Sequence, residues 1–234
     1  MPVTKTIAPG YDSIDVLLPG SMGKAAKVLA KTDAKMAKLI TQVGHLEVPL
    51  RGHSNVFGAL CEAIVHQQLN GKAAQSIQGR LCGLYGSGKR LPKPEEILET
   101  TEEELRSVGL SRSKIMSLVD LSTKVLQGEI PTLAQAKKMV NQQVIDSLVA
   151  VRGIGKWSAE MFLIFTLARA DVWPVDDFGV RKGFQILYGL DDIPRPADLM
   201  SIAMKWSPYR TVASLYLWQL ANNPEVLKKR SKVS

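Results

Sequence analysis

A glycine hairpin followed by a strongly apolar helix is the feature that most restricts the fold of this chain. Arg152-Gly153-Ile154-Gly155-Lys156 places two glycines one residue apart, and glycines adopt backbone angles closed to other residues and leave room for a close neighbour. The next residues predict a largely buried helix with the apolar side chains Met161, Phe162, Ile164, Phe165 and Leu167. A helix that starts directly after a glycine turn presents free backbone N–H groups and a positive dipole end, which favours an anion such as phosphate.

Two adjacent carboxylates follow about twenty residues later, in Pro174-Val175-Asp176-Asp177-Phe178-Gly179-Val180. The proline disfavours helix at the residue before it, so the next helix is expected to start near Asp176 and Asp177. One of these carboxylates is expected to cap the helix.

These two motifs, in this order and at this spacing, resemble the helix-hairpin-helix and Gly/Pro-Asp signature of the DNA glycosylase superfamily. Within it, the chain resembles the compact members of the 3-methyladenine DNA glycosylase II branch, which lack an N-terminal β-rich domain. The resemblance extends from about Asp33 to Ala221. It implies a single all-α domain of two lobes with an active-site cleft between them. Lobe one comprises roughly residues 1–50 and 170–227, lobe two roughly 51–169 with the hairpin at 148–160, and a basic tail covers 228–234.

Charge and cysteine content restrict partners and cofactors. The 234 residues carry a formal net charge of +8 with a pI near 9.5, which favours a polyanionic partner. Cys61 and Cys82 lie in apolar helical patterns without a partner at ligand spacing, so both are expected to be buried thiols in a reducing compartment. No cysteine follows Cys82, which excludes the C-terminal iron–sulfur cluster of some members of the superfamily. No cofactor is expected to be required.

The expected localisation of the protein follows from the absence of membrane-spanning and signal-peptide patterns in the sequence. The sequence contains no apolar run of membrane-spanning length and no signal-peptide pattern. We expect a soluble, intracellular monomer that binds double-stranded DNA with alkylated bases and no membrane. Its compartment would be the cytoplasm in a bacterium or archaeon and the nucleus in a eukaryote.

Helix signals elsewhere predict further elements with short connections. Two helices are expected from Ala25 to Lys31 and from Asp33 to Val43, the second capped by Asp33. Their lysines are interpreted as a solvated surface rather than a DNA patch: Lys27, Lys31, Lys35 and Lys38. Asn55 is expected to cap an apolar helix that continues through His66 until Gly71 stops it. No convincing strand is found.

The resemblance assigns DNA contacts to four places. In the corner between helices it implies that Gln68 fills the gap left by an extruded base, flanked by His66 and Gln67. At the Gly-Leu turn, Leu110 is either a wedge against the opposite strand or a core residue, and Arg112 and Lys114 are candidates for phosphate contacts. At the hairpin, the candidates are Gly153, Gly155, Lys156 and Ser158. Backbone carbonyls of Val149, Val151 and Ile154 would hold a monovalent cation, Na⁺ or K⁺.

The Asp-x-Gly-Val pattern of the family makes Asp177 the catalytic candidate and leaves Asp176 as cap or neighbour. Cleavage of an N-glycosidic bond builds positive charge on the sugar, which a fixed carboxylate stabilises while it orients the attacking water. Members that also cleave the strand carry a lysine where Trp157 stands, so a monofunctional hydrolase without lyase activity is expected.

Aromatic residues suggest the substrate. An aromatic face binds a cationic base by stacking and cation–π attraction, as alkylated purines such as 3-methyladenine and 7-methylguanine require. Trp157 is expected to form one wall of the pocket, and the resemblance implies Tyr209 or Trp206 as a second wall, with Asp176 and Met161 also assigned to the pocket. Two alternatives stay open, a non-catalytic DNA-binding protein that keeps the hairpin, and a glycosylase for uracil, hypoxanthine or a mismatch.

Overall fold

The computed structural model describes residues 11–18, 20–86 and 90–228, so the basic tail predicted from residue 228 lies almost entirely outside the described residues. Within that part the chain is all-α, as predicted, and the only β pairing is an isolated bridge between Val16 and Arg169. The helices are α1 Met22–Thr32, α2 Ala34–Val43, α3 Val56–His66, α4 Gly71–Gly83, α5 Pro94–Glu99, α6 Glu102–Ser107, α7 Arg112–Leu126, α8 Leu133–Ala136, α9 Asn141–Val149, α10 Lys156–Phe165, α11 Phe178–Tyr188, α12 Pro196–Ala203 and α13 Arg210–Asn222, with 3-10 turns at Met204–Trp206 and Pro224–Lys228.

The chain divides into two compact units. The first comprises Met1–Leu50 and Leu163–Ser234, and the second comprises Arg51–Phe162. The division falls inside α10, whereas the sequence placed the lobe boundary after residue 169. The cleft between lobes stays a prediction.

The first unit is built on the crossing of α11 and α13. A Cβ atom on Gly183 would lie 2.1 Å from the backbone oxygen of Leu217, so only glycine permits this approach of the two helix backbones. Trp206 and Trp173 pack edge to face in the same core, with ring centroids 5.5 Å apart. The core is continued by α1 and α2 through Ala25, Leu29, Met36 and Leu39.

Asp33 joins three elements of the first unit. Its Oδ1 caps α2 by accepting the N–H groups of Lys35 and Met36 at 2.9 and 3.1 Å, as the sequence predicted. Its Oδ2 accepts the Tyr188 hydroxyl and, at 3.3 Å, the indole N–H of Trp206. Burial raises the pKa of Asp33, but these hydrogen bonds outweigh burial and hold the pKa below its usual value.

The segment before α1 is extended and pairs with the chain after α10. Leu17 donates its N–H to the Ala168 carbonyl at 2.7 Å, and Ala170 donates its N–H to the Asp15 carbonyl at 2.9 Å. Residues 15–17 therefore pair with residues 168–170, in the connection that leads towards Asp177.

The second unit is organised around α3, which packs against α4 and α7. Asn55 caps α3 by accepting the Gly58 N–H at 2.7 Å, as predicted. Cys61 and Cys82 are buried free thiols, and burial raises the pKa of Cys61 to about 12.

No helix among the described residues is long and apolar enough to cross a membrane.

The end of α3 differs from the prediction. The helix stops at His66, and Gly71 begins α4 instead of ending α3, with Asn70 capping α4 through a 2.9 Å bond from the Ala73 N–H. Gln68 adopts a left-handed backbone conformation with φ of 56°, so a right-handed α-helix cannot continue through this residue. Asparagine is a preferred N-cap residue, so Asn70 is the local signal for the start of α4.

Candidate functional site

The hairpin packs tightly against α7. Gly153 has a φ of 75°, and a Cβ atom there would lie 2.6 Å from the Ser117 hydroxyl oxygen. Both the backbone angle and the contact therefore require glycine at this position. Gly155 has open space on its Cβ side, so this glycine leaves room for a neighbour outside the chain.

Two side chains from other elements hold the hairpin backbone. Asp120 of α7 accepts the Arg152 N–H at 2.7 Å through one oxygen and the Lys124 ammonium at 2.5 Å through the other. Burial raises the pKa of Asp120, but these bonds lower it below its usual value. Gln67 donates its amide N–H to the Gly153 carbonyl at 2.9 Å. The sequence did not identify Asp120, since a carboxylate four residues before a lysine is typical of any exposed helix.

The first turn of α10 separates exposed from buried side chains. Lys156 and Trp157 are exposed, Trp157 by 49%, whereas Ser158 and Glu160 are buried. The Lys156 ammonium lies 3.6 Å from the Glu160 carboxylate. Ser158 is only 8% exposed, and its contact with DNA stays a prediction.

The corner between α3 and α4 presents Gln68 to solvent. Gln68 is exposed, and its left-handed backbone, which non-glycine residues rarely adopt, turns the chain outward at this residue. Gln67 is occupied with the hairpin, and the His66 ring nitrogen hydrogen-bonds Gln78 at 2.5 Å. Of the three residues predicted here, Gln68 has the exposure that insertion into a duplex requires.

Leu110 and Lys114 do not have the surroundings that DNA contacts require. Arg80 donates to the Val108 carbonyl at 2.9 Å and pins the turn against α4, so that Leu110 is only 4% exposed. Lys114 donates to the Val65 carbonyl at 2.6 Å at the end of α3, and burial lowers its pKa. Leu110 is thus a core residue and Lys114 holds a helix end. Arg112 is exposed.

Asp177 is the N-cap of α11. Its Oδ1 accepts the Val180 N–H at 2.8 Å and the indole N–H of Trp218 at 2.7 Å. Of the two roles left open for Asp176, it has that of the neighbour, and it is exposed. A Cβ atom on Gly179 would lie 2.7 Å from the Trp218 ring, so glycine in the Asp-x-Gly pattern lets the indole approach the carboxylate.

The tryptophan near Asp177 is Trp218 rather than Trp206. Trp206 is fully buried and bonded to Asp33, so its assignment to the pocket is wrong. Trp218 stacks on Phe165 with centroids 5.8 Å apart. Phe178, next to Asp177, is 67% exposed, and the sequence did not single it out either. The pocket assignments of Met161, Asp176 and the half-buried Tyr209 stay predictions.

A buried ion pair supports the connection that precedes Asp177. Arg210 at the start of α13 donates to both oxygens of Asp171, at 2.6 and 2.9 Å. Thr211 accepts the Val172 N–H at 3.0 Å and donates to the Arg169 carbonyl at 2.7 Å. These bonds fix the chain just before the turn that presents Asp177.

The hairpin and the Asp177 cap of α11 both lie in the part of the chain that matches a family of helical base-excision proteins. The model of the HhH-GPD superfamily of base excision DNA repair proteins matches residues 61–209, and the chain belongs to this family.

Its relatives identify the branch. The chain is 34% identical over 210 residues to DNA-3-methyladenine glycosylase 1 of Schizosaccharomyces pombe, covering 89% of this chain and 91% of that protein. The solved structure of the S. pombe 3-methyladenine DNA glycosylase Mag1 with abasic DNA superimposes with a TM-score of 0.76 at 34% identity, over 85% of this chain and 97% of that one. A DNA-3-methyladenine glycosidase of Bacillus halodurans gives a TM-score of 0.77 at 35% identity, over 85% and 89%. The predicted 3-methyladenine DNA glycosylase branch is confirmed.

Proposed function

We propose that this protein excises alkylated purines, of the 3-methyladenine and 7-methylguanine type, from duplex DNA by hydrolysis of the N-glycosidic bond. The observation that carries the proposal is the Asp177 carboxylate, whose Oδ1 is held by Val180 and Trp218 at the start of α11. Relatives named as DNA-3-methyladenine glycosylases support the substrate class.

Asp177 acts on the sugar of the extruded nucleotide. As the glycosidic bond breaks, positive charge develops on the sugar, and a fixed carboxylate stabilises it more strongly than mobile water does. The carboxylate also orients the water that completes hydrolysis. Because two hydrogen bonds already fix Oδ1, little reorganisation of this side chain is needed during the reaction.

Trp157 provides the face for the base. Its exposed indole suits a cationic purine, for which cation–π attraction contributes on the order of 0.5–2 kcal/mol. Alkylation also weakens the glycosidic bond, so a permissive pocket is sufficient. The exposed Gln68 stabilises the deformed duplex, at an extrusion cost of a few kcal/mol that damage reduces.

The enzyme uses water rather than an amine as nucleophile. Trp157 stands where bifunctional relatives carry the lyase lysine, and the Lys156 ammonium lies beside the Glu160 carboxylate at 3.6 Å. Borohydride reduction during turnover is expected to trap no covalent complex with DNA. A trapped complex would contradict the monofunctional assignment.

A monovalent cation at the hairpin is part of the proposal, held by the carbonyls of Val149, Val151 and Ile154. The Val151 carbonyl accepts the Ile154 N–H at 3.1 Å and keeps a second lone pair, which is compatible with a cation. The cation would add positive charge near a phosphate. Replacing K⁺ with tetramethylammonium at equal ionic strength is expected to weaken DNA binding, and unchanged binding would remove the cation from the account.

Excision by an Asp177→Asn variant tests the central role. Asparagine caps a helix as well as aspartate does, so the fold is retained while the charge is lost. We expect release of 3-methyladenine from methylated DNA to fall at least about 100-fold, an effect of the size seen when an electrostatic catalytic group is removed. The matched control is Asp176→Asn, which removes the neighbouring charge and is expected to stay within a few-fold of wild type.

Mass spectrometry of all released bases in the same reactions separates the alternatives. No release by either protein would favour a non-catalytic DNA-binding protein, and equal release by wild type and Asp177→Asn would contradict the role of Asp177 in the reaction. Release of uracil, hypoxanthine or a mismatched base in preference to methylated purines would change the substrate.

A further inference from the structure

Four exposed lysines form a positively charged surface on the first two helices. We define the lysine face as Lys24, Lys27 and Lys31 of α1 with Lys38 of α2, all exposed. On α1 they recur at spacings of three and four residues, which places them on one side of a helix. The residues that α1 buries, Met22, Ala25, Ala26 and Leu29, occupy the opposite side.

The lysine face has no internal counter-charge. Asp33 is the only carboxylate between Met22 and Val43, and both of its oxygens are turned inward onto backbone amides, Tyr188 and Trp206. None of the four ammonium groups forms an ion pair in the part of the chain that the structure describes. A solvated helix surface usually alternates charges of both signs, and this one does not.

The helix α2, which carries Lys38, contacts the end of α11 that lies opposite Asp177. Lys35, between the two groups of lysines, donates to the Tyr188 carbonyl at 3.0 Å and covers the Tyr188 ring at 4.8 Å. Tyr188 ends α11 and Asp177 caps its start. The helix has 11 residues, which corresponds to about 16 Å at 1.5 Å per residue, so these are separate surfaces of one unit.

We propose that the lysine face is a second DNA-contact surface, which binds the phosphates of undamaged duplex independently of sequence. Duplex DNA offers one negative charge per about 1.7 Å of its axis, a density that a row of flexible, unpaired ammonium groups complements. The proposal rests on the proposed function in that the partner is the DNA that the enzyme repairs. Such a surface holds the enzyme on intact DNA between lesions.

The test is the salt dependence of binding to undamaged duplex by a variant with Lys24, Lys27, Lys31 and Lys38 all changed to Gln. Glutamine keeps helix propensity, and circular dichroism checks that the fold is retained. The slope of log K against log salt is expected to be shallower by about 2 to 4, since each phosphate contact contributes about 0.9. Wild type then loses roughly 15- to 250-fold more affinity than the variant over the fourfold rise from 50 to 200 mM salt.

Two matched variants separate position from charge. Changing Lys93, Lys137, Lys138 and Lys205 to Gln lowers net charge equally at exposed sites elsewhere and is expected to leave the slope near that of wild type. Changing the four lysines of the face to Arg keeps the charge and is expected to retain the wild-type slope. An equal effect in the distant variant, or loss of affinity in the Arg variant, would overturn the proposal.

Lysine acetylation with and without undamaged duplex maps the surface directly. DNA is expected to protect the lysine face more than Lys93, Lys138 or Lys205, and equal labelling of both groups would contradict the proposal. No excision occurs in either assay. If the wild type fails to release methylated bases, the proposed function alone is contradicted. If the salt slope of the Gln variant equals that of wild type, the lysine-face proposal alone is contradicted.

Discussion

At the scale of single residues, one oxygen of Asp177 accepts both the Val180 amide and the Trp218 indole N–H. The backbone bond is an ordinary helix cap, but the indole comes from α13 and lies 41 residues away in sequence. The direction of the carboxylate is therefore set by a tertiary contact. This contact makes Trp218 a positioning residue.

Trp218→Phe is expected to slow excision about tenfold while binding of undamaged DNA changes less than twofold. Phenylalanine keeps the stacking on Phe165 but removes the N–H donor, and a hydrogen bond to a charged group contributes about 1.5–3 kcal/mol. Single-turnover rates and fluorescence anisotropy measure the two effects. Wild-type excision by this variant would show that the indole bond does not position Asp177.

The sequence identified individual residues where a local pattern was sufficient. The resemblance singled out Asp177 through the Asp-x-Gly-Val pattern and Gln68 through the alignment of the corner between two helices. Trp206 and Trp218 both lie in apolar segments of the sequence. Only tertiary packing determines that Trp206 is buried and that Trp218 contacts Asp177. The resemblance assigned Lys114 to DNA, and the sequence could not reveal its carbonyl partner, Val65, because that residue lies 49 positions away.

At the scale of elements, the crossing of α11 and α13 determines where the site is presented. Gly179 and Gly183 lie four residues apart on the side of α11 that meets Leu217 and Trp218. Glycines at this spacing permit two helices to approach closely. The motif in the sequence included Gly179 but not Gly183.

Gly183→Ala is expected to destabilise the protein by about 1–3 kcal/mol, because the added methyl group would overlap the Leu217 carbonyl and force the helices apart. Gly79→Ala on α4 is the control, since a Cβ atom there meets nothing within 4 Å. This substitution should stabilise the protein by about 1 kcal/mol, because alanine has the higher helix propensity. Thermal unfolding measures both. A Gly183→Ala variant as stable as wild type would contradict the close crossing.

Helix starts were predictable and helix ends were less so. Asp33 and Asn55 cap the expected helices because a cap is a local bond between a side chain and an amide two or three residues on. The end of α3 was misplaced because Gly71 was taken as a stop signal, whereas Asn70 before it starts the next helix.

At the scale of the whole molecule, acid stability is expected to depend on Asp33. The folded state lowers the pKa of Asp33, so ionised Asp33 contributes stability above its unfolded pKa, and this contribution is lost as the pH falls through the lower folded pKa. Thermal unfolding between pH 7 and pH 2 is expected to show a smaller decline in melting temperature for Asp33→Asn than for wild type. If the melting temperatures of the two proteins decline in parallel with falling pH, Asp33 does not contribute to acid unfolding.

The family and the all-α class followed from the sequence because two motifs at a fixed spacing constrain most of the chain. The lysine face did not, because the sequence shows that Asp33 is the only nearby carboxylate but not whether Asp33 pairs with these lysines. The inward-turned oxygens of Asp33 show that it does not.

Binding of a charged sugar mimic tests most directly whether Asp177 supplies negative charge to the reacting sugar. The measurement compares the affinity of wild type and Asp177→Asn for two duplexes, one with a protonated pyrrolidine and one with a neutral tetrahydrofuran at the target sugar. Wild type is expected to prefer the cationic duplex by about tenfold or more, which corresponds to about 1.4 kcal/mol, and Asp177→Asn should lose that preference. An equal preference in both proteins would contradict the account.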